Sequence, residues 1–333
     1  MLREGRAVRH PPLRIRFMSR NAERHVYGPV PSRRLGRSLG IDLVPFKTCS
    51  YDCVYCQLGR TTRKTAERGE FFPPEEILSE LESKLASVSV LDYIGLAGSG
   101  EPTLHARLGE IIRGIKERTA TPVAVLTNGS LLWNREVQDA LCEADVVMPS
   151  LDAGDARLFA YVNRPHRALD FERVVTGLVE FRARFSKPVW LEVFLLGGVT
   201  GPGAEVEKIA ALCRAIRPDR IQLNTVLRPP AEDFAFPVSP DLLASFASLF
   251  DPPAEVIAGP SAASAPAFET VVVPDEEILA LLSRRPSTAL GVSSGLGIHI
   301  GETIKRLETL AMQGEVRTTV RRGARFYEVV RTA

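Results

Sequence analysis

Three cysteines lie within eight consecutive residues of this 333-residue chain. They are Cys49, Cys53 and Cys56, in a C-x3-C-x2-C arrangement. Three thiolates on one short loop suit three irons of a cubane iron–sulfur cluster, and the fourth iron is then open to a small molecule. A structural zinc ion would need a fourth ligand, and the nearest histidine downstream is His105. The spacing favours a [4Fe–4S] cluster, and a zinc-stabilised α/β protein is a plainer alternative.

The remaining cysteines, Cys142 and Cys213, lie in helical patterns and are interpreted as small buried residues. Clustered cysteines of this kind do not form the framework of a secreted disulfide protein. The sequence has no signal-peptide pattern, and no apolar run approaches the ~18 residues that a membrane helix needs. We therefore expect a cytoplasmic protein that has no membrane partner.

Short apolar runs alternate with amphipathic segments between residues 38 and 225. Strands are predicted at residues 39–44, 93–97, 123–127, 145–148, 189–195 and 220–224. Helices are predicted at residues 75–86, 108–118, 135–142, 171–185, 205–216 and 241–250. Strand–helix units in a row imply a parallel sheet with crossover helices. The predicted fold class is α/β, a partial (β/α)6 barrel whose chemistry lies on loops after the carboxyl ends of the strands.

The C-terminal part has a different pattern. Helices are predicted at residues 275–282, 287–292 and 300–312, followed by a hairpin at 315–320 and 325–330 that turns at Arg322-Gly323. This is the element order of a small winged-helix-like domain. The predicted division is a basic, flexible segment at 1–25, a core domain at 26–257, a linker at 258–272 and the winged-helix-like domain at 273–333.

A second motif, Gly98-Ser-Gly100-Glu101-Pro102, follows the second predicted strand. Glycines let a backbone approach a ligand closely, and a glutamate there could receive an ammonium group. This motif and C-x3-C-x-aromatic-C, with Tyr55 as the aromatic residue, resemble the radical S-adenosylmethionine (SAM) superfamily. Residues 27–40, 163–166 and 222–230 look like a poorly characterised subgroup, which is similar to the catalytic core of the wyosine-synthesis enzymes that modify transfer RNA.

The resemblance implies a partial barrel of the radical SAM type, a [4Fe–4S] cluster on the three cysteines, and S-adenosyl-L-methionine as second cofactor. An electron from the cluster would break the C5′–S bond, and the 5′-deoxyadenosyl radical would abstract a substrate hydrogen. Gly100 and Glu101 would lie beside the methionine amino group, and Tyr55 would border the adenine through its backbone. The matched cofactor-binding positions are Tyr55, Gly100, Glu101, Asn128, Ser150 and Asp152, with Glu192 as a weaker candidate. Read without the resemblance, Asn128 belongs to an ordinary turn sequence and Ser150 to a helix cap.

Arginines dominate the predicted substrate side. Residues 1–40 hold ten arginines and two acidic residues, an excess that could attract a phosphate-bearing partner. Guanidinium groups near the barrel mouth could bind phosphate or carboxylate in bidentate fashion, whereas the alternative is surface charge or ion pairs. The candidate substrate residues are Arg33, Arg34, Arg164, Gln222, Asn224 and Arg228.

The leading hypothesis is an enzyme that acts on an unidentified substrate, RNA or a peptide, and takes electrons from a small donor such as flavodoxin or ferredoxin. Wyosine-synthesis enzymes carry a second three-cysteine cluster, which the two remaining cysteines cannot form, so RNA is a minority hypothesis. Nucleic-acid binding by the winged helix is also a minority hypothesis, because its basic and acidic residues are nearly balanced. The alternative is an iron–sulfur redox-sensing regulator that acts through the winged helix.

Overall fold

The computed structural model describes residues 24–88, 90–257 and 273–330. The predicted flexible N-terminal segment, apart from Arg24 and His25, and the predicted linker at 258–272 lie outside the described residues. No helix within the described ranges combines the length and the hydropathy that a bilayer-spanning segment needs.

Strands and helices alternate through most of the described chain. The strands are β1 (Val26–Ser32), β2 (Gly36–Ile41), β3 (Thr48–Cys49), β4 (Arg63–Lys64), β5 (Tyr93–Leu96), β6 (Val123–Thr127), β7 (Val146–Pro149), β8 (Trp190–Gly197), β9 (Arg220–Thr225), β10 (Phe236–Pro237), β11 (Glu255–Val256), β12 (Val316–Arg321) and β13 (Ala324–Val329). The helices are α1 (Pro74–Leu85), α2 (Leu108–Arg118), α3 (Arg135–Leu141), α4 (Ala156–Val162), α5 (Phe171–Arg184), α6 (Gly203–Ile216), α7 (Pro240–Phe246), α8 (Asp275–Arg284), α9 (Ala289–Leu296) and α10 (Ile300–Met312).

Six parallel strands form the open barrel that the sequence predicts. β2, β5, β6 and β7 pair in this order, and β8 pairs with β9. Parallel bridges between Val147 and Val189 and between Ser150 and Glu192 join the two sheets. β1 lies antiparallel on β2, and β11 extends the other edge beside β9. The carboxyl ends of all six strands therefore lie at one mouth, where loops from different strands meet.

Apolar residues at helical spacing hold the outer helices against this sheet. α5 buries Phe171, Val174, Leu178 and Phe181, as the periodicity predicts. Its first turn is capped by Asp170, whose carboxylate accepts a hydrogen bond from the Arg173 amide. The strands of the barrel are buried on both faces, because helices cover the outside and site loops fill the mouth.

Two differences from the predicted elements have clear causes. The strand predicted at 39–44 ends at Ile41, since the Asp42 carboxylate accepts a hydrogen bond from the Ser99 amide (2.6 Å) and pairs with Arg284 (2.8 Å). The sequence prediction missed α4 and β1 altogether. α4 has only seven residues, too few for a clear period, and β1 contains two prolines.

Residues 273–330, here called the C-terminal module, contain α8, α9 and α10 followed by the β12–β13 hairpin, in the predicted order. Their buried apolar residues form a separate cluster, against which Val30 of β1 packs. Arg284 joins this module to the barrel through Asp42, and its guanidinium lies 4.2 Å from the Tyr27 ring centroid. The interpretation of the module as a winged helix stays a prediction.

Candidate active site

The three clustered cysteines lie on residues 49–56, here called the cysteine loop, which follows β2 and begins at Cys49 of the short strand β3, at the mouth of the barrel. Each is partly accessible to solvent, and none forms a disulfide bond within the described residues. Backbone hydrogen bonds from Val54 to Val162 and from Asp52 to Asn163, each 2.9 Å, fix the loop to the segment that ends α4. The loop is thus held at both the sheet and the helix layer, as a rigid ligand-bearing loop should be.

Each cysteine sulfur accepts a hydrogen bond from a different side chain. Asn128 Nδ2 lies 3.5 Å from Cys49 Sγ, and Asn163 Nδ2 lies 3.5 Å from Cys53 Sγ. Hydrogen bonds to sulfur and nearby charge are the means by which a protein adjusts an iron–sulfur centre. The donors come from loops after β6 and α4, so several elements of the barrel contribute to the same centre.

Lys47 supplies the third donor and the only ammonium group in hydrogen-bonding contact with a cysteine sulfur within the described ranges. Its Nζ lies 3.2 Å from Cys56 Sγ, although the residue is only 3% exposed. Lysine is rarely buried without an anionic partner, because transfer of an unpaired ammonium from water is costly. A thiolate at Cys56, on its own or as a metal ligand, would provide that partner.

Burial disfavours thiolates in the absence of a metal. It raises the pKa of Cys49 to about 12, to which the nearby Glu101 carboxylate also contributes, and raises the pKa of Cys53 well above its usual value. A coordinating metal deprotonates a thiol outright and offsets this cost. The described residues include no group of three or more His, Cys, Asp or Glu side chains arranged around a single ion. A cubane cluster takes one thiolate per iron, so its ligands need not converge on one point.

Gly100 packs directly on the cysteine loop. A Cβ atom at this position would lie 2.1 Å from the Thr48 carbonyl oxygen, so no larger residue fits. Hydrogen bonds from the Glu101 amide to Thr48 O (3.1 Å) and from the Lys47 amide to Ser99 O (2.6 Å) join the two segments. The glycine therefore serves the close approach of two backbones.

The Glu101 carboxylate is buried and connects the loops after β5 and β6. Its Oε1 accepts hydrogen bonds from Thr103 N (3.0 Å), Thr103 Oγ1 (2.6 Å) and Thr127 Oγ1 (2.6 Å), and its Oε2 accepts one from Asn128 N (2.7 Å). Burial raises the pKa of Glu101, and these donated hydrogen bonds oppose the rise. With these four donors the carboxylate positions Asn128, whose amide side chain reaches both Ser50 and Cys49.

Asp152, after β7, accepts hydrogen bonds from Tyr55 Oη (2.5 Å) and from Asn163 Nδ2 (2.7 Å) at the same carboxylate oxygen. The Tyr55 ring stacks on Phe194 with centroids 3.9 Å apart. Burial raises the pKa of Asp152 to about 6. The side chain of Tyr55 is thus committed to Asp152 and Phe194, which leaves its backbone as the part that can face a ligand.

The comparison with known proteins decides the family. Residues 43–213 match the radical SAM superfamily. This chain belongs to the radical SAM superfamily. A "GTPase Obg" of Brachyspira hyodysenteriae is 37% identical over 92% of this chain, which spans 45% of that protein's length. A UPF0026 protein of Methanocaldococcus jannaschii is 35% identical, and the match covers 68% of this chain and 70% of that protein.

The barrel also has a solved counterpart. A radical SAM methyltransferase from Sphaerobacter thermophilus aligns with a TM-score of 0.52 and 19% identity, over 66% of this chain and 65% of that one. This likeness confirms the α/β radical SAM core fold. Radical SAM proteins bind a [4Fe–4S] cluster and S-adenosylmethionine, so these are the cofactors of this chain. The similarity to wyosine-synthesis enzymes stays a prediction.

The radical SAM barrel of this chain brings three of the predicted substrate-side residues and Glu192 into one interior region. Glu192 of β8 accepts hydrogen bonds from Arg34 (2.6 Å) and Asn224 (2.8 Å), so the weaker cofactor candidate joins two substrate candidates. Gln222 is the register partner of Glu192 on β9, and its buried Oε1 has no hydrogen-bond partner within the described residues. An unsatisfied amide oxygen inside the barrel is open to a ligand donor.

The other predicted arginines form hydrogen bonds or ion pairs with other residues. Arg33 donates to the Ile257 carbonyl (2.6 Å), and Arg228 donates to Gln57 Oε1 (3.1 Å). Arg164 forms an ion pair with Glu232 (2.7 Å), which agrees with the alternative that these arginines are surface charges or form ion pairs.

The predicted cofactor-binding residue Ser150 connects β7 to β8 through its backbone bridge to Glu192.

Two site residues were missed by reasoning from the sequence. Lys47 carried no signal, because a single lysine before a cysteine motif is not unusual. Asn163 was noted only as part of the segment 163–166, and its bridge between Cys53 and Asp152 depends on the turn that ends α4. Its Oδ1 and the nearby Tyr51 Oη are buried and without partners within the described residues.

Proposed function

We propose that Cys49, Cys53 and Cys56 hold the [4Fe–4S] cluster of a radical SAM enzyme that removes a hydrogen atom from its substrate. The single observation that supports this most is the buried ammonium of Lys47 at 3.2 Å from Cys56 Sγ. Held by these three thiolates, the cluster would supply the electron for reductive cleavage of S-adenosylmethionine, which is the chemistry that leads to removal of a substrate hydrogen. The donor set of three soft sulfurs, each with a hydrogen-bond donor, fits this group.

The surrounding residues would orient the nucleoside and the methionine. Asn128 and Ser150 offer polar groups at neighbouring strand ends, and Asp152 holds the Tyr55 ring in place. The 98–101 segment presents backbone groups beside the cysteine loop, with Gly100 and Glu101 acting as positioning residues. Because four donors already bind the Glu101 carboxylate, we assign the recognition of an ammonium group to the backbone of this segment.

The substrate would enter the mouth next to Arg34, Asn224 and Gln222. We propose that residues 26–257 form the catalytic domain and residues 273–333 a winged-helix-like domain that contributes to partner recognition. The electron donor would be a small protein such as flavodoxin or ferredoxin. A redox-sensing regulator is not favoured, because membership of the radical SAM superfamily is better explained by an enzyme.

The test is the formation of 5′-deoxyadenosine by anaerobically reconstituted protein with dithionite and S-adenosylmethionine. We expect cleavage by the wild type and by Cys142→Ser, a matched control outside the cysteine loop. We expect Cys53→Ser to lose both the cluster absorbance and cleavage. Wild-type protein that holds a full cluster and yields no 5′-deoxyadenosine would overturn the proposal.

A further inference from the structure

A cavity of about 410 Å³ lies between the barrel mouth and the C-terminal module. The barrel contributes Gln57, Leu58 and Gly59, directly after Cys56, and the segment 229–231 after β9. The module contributes the end of α8 and one face of the β12–β13 hairpin. The volume is in the range of pockets for small molecules, and the cavity borders the cysteine loop.

The walls of this cavity are basic. Arg285, Arg317 and Arg321 line it, against Glu328 as the acidic lining residue. Arg317 pairs with Glu328 (2.9 Å) and Arg321 with Asp233 (2.6 Å), but these are exposed pairs that exchange partners at little cost. The two hairpin arginines are therefore available to an anion at the entrance.

Arg285 and Arg228 differ from the two hairpin arginines in their ion pairing. Within residues 24–88, 90–257 and 273–330, neither forms an ion pair, and Arg228 donates a hydrogen bond to the neutral amide of Gln57. Burial lowers the pKa of Arg285, and burial together with the positive charges of Arg285, Arg33 and Arg34 lowers the pKa of Arg228 to about 9. Positive charges held together away from water are unfavourable unless an anion joins them.

We propose that this cavity binds a phosphate group of the substrate through Arg285, with Arg317 and Arg321 at its entrance and with Arg228, which donates to the lining residue Gln57, adding positive charge behind the wall. The inference rests on the proposed function, since it specifies the class of substrate. Guanidinium groups bind phosphate through paired, charge-assisted hydrogen bonds, and a doubly charged anion suits several arginines better than one carboxylate does. The position beside Gln57 puts the rest of a phosphate-bearing substrate close to the cysteine loop.

The first test is calorimetric titration of the reconstituted full-length protein with pyrophosphate. We expect Arg285→Gln to weaken binding at least about tenfold, Arg285→Lys to weaken it less because the charge remains, and Arg135→Gln, a distant exposed arginine, to leave it unchanged. Equal affinities of Arg285→Gln and wild type, or no binding to wild type, would overturn the inference.

Thermal unfolding separates a ligand site from a structural role. Without ligand, Arg285→Gln should melt at or above the wild-type temperature, because it removes a half-buried charge that has no ion-pair partner within the described residues. Pyrophosphate should raise the melting temperature of the wild type and not that of the variant. A variant that melts below the wild type and keeps the pyrophosphate shift would assign Arg285 a structural role and overturn the inference.

Competition identifies the source of the phosphate. Displacement of pyrophosphate by a mononucleotide at low and high salt would indicate a small phosphate ester, whereas displacement by short single-stranded RNA with steep salt dependence would indicate a polymer. Displacement by neither would overturn the inference. Binding is measured without S-adenosylmethionine cleavage, so failure of this inference and failure of the proposed function are separate results.

Discussion

Replacing Lys47 by Met removes a buried positive charge beside the cysteine loop and keeps a side chain of similar length. The ammonium lies 3.2 Å from Cys56 Sγ, so its distance from the centre of a cluster on this loop would be roughly 6 Å. At an effective dielectric constant of about 20, one added electron and one positive charge at this distance attract each other by about 2.8 kcal/mol. For a one-electron couple this equals about 120 mV. The cation favours the reduced state, so Lys47→Met should make the midpoint potential more negative by about this amount.

The assay is a redox titration of reconstituted protein, followed by the electron paramagnetic resonance signal of the reduced cluster. Lys47→Arg should remain close to the wild type because it keeps the charge. Lys64→Met is the local control, since Lys64 is exposed and pairs in register with Cys49 on the neighbouring strand. Its charge is screened by solvent, so its removal should have little effect. An unchanged or more positive potential in Lys47→Met would refute the reasoning.

Three further predictions concern positioning residues. Glu101→Gln should lower the free energy of unfolding in urea by about 2–4 kcal/mol, because a neutral amide cannot accept all four donated hydrogen bonds. Asn163→Ala removes the donor shared by Cys53 and Asp152, so cluster absorbance should decay several-fold faster in air. Arg284→Met leaves the Asp42 carboxylate buried and unpaired, so it should cost about 3–5 kcal/mol in urea unfolding and expose the C-terminal module to limited proteolysis.

Each of these three predictions has an outcome that would contradict it. Wild-type stability in Glu101→Gln would mean that the carboxylate is not a structural connection between loops. Equal cluster lifetimes would show that Asn163 has no influence on the cysteine loop. For Arg284→Met, a stability loss that is fully recovered in the Arg284→Met, Asp42→Asn double variant would confirm the pairing, whereas additive losses would contradict it.

The strands and long helices of the barrel could be predicted because their apolar patterns are long and regular. α2 and α10 have the predicted bounds, and β6 as well. Where the prediction of a strand boundary failed, a tertiary contact decided. β2 ends early because Asp42 is needed by Ser99 and Arg284, a contact between residues far apart in the sequence. Such tertiary contacts leave no trace in local periodicity.

The site was predictable where backbone constraints and ligand chemistry impose a motif. The cysteine spacing and Gly100 are of this kind, since no other residue type fits either role. Lys47 and Asn163 act through a single side chain that reaches the cysteine loop, and neither role imposes a pattern on neighbouring residues. The arrangement of Arg228 and Arg285 depends on how the C-terminal module packs on the barrel, which no sequence pattern specified.

The most direct measurement is Mössbauer spectroscopy of anaerobically reconstituted protein with isotopically enriched iron, before and after addition of S-adenosylmethionine. We predict a [4Fe–4S] cluster lost in Cys49→Ser, Cys53→Ser and Cys56→Ser, with one iron site whose isomer shift increases when S-adenosylmethionine binds. A spectrum with no cluster, or with iron sites that S-adenosylmethionine leaves unchanged, would contradict the assignment of these three cysteines.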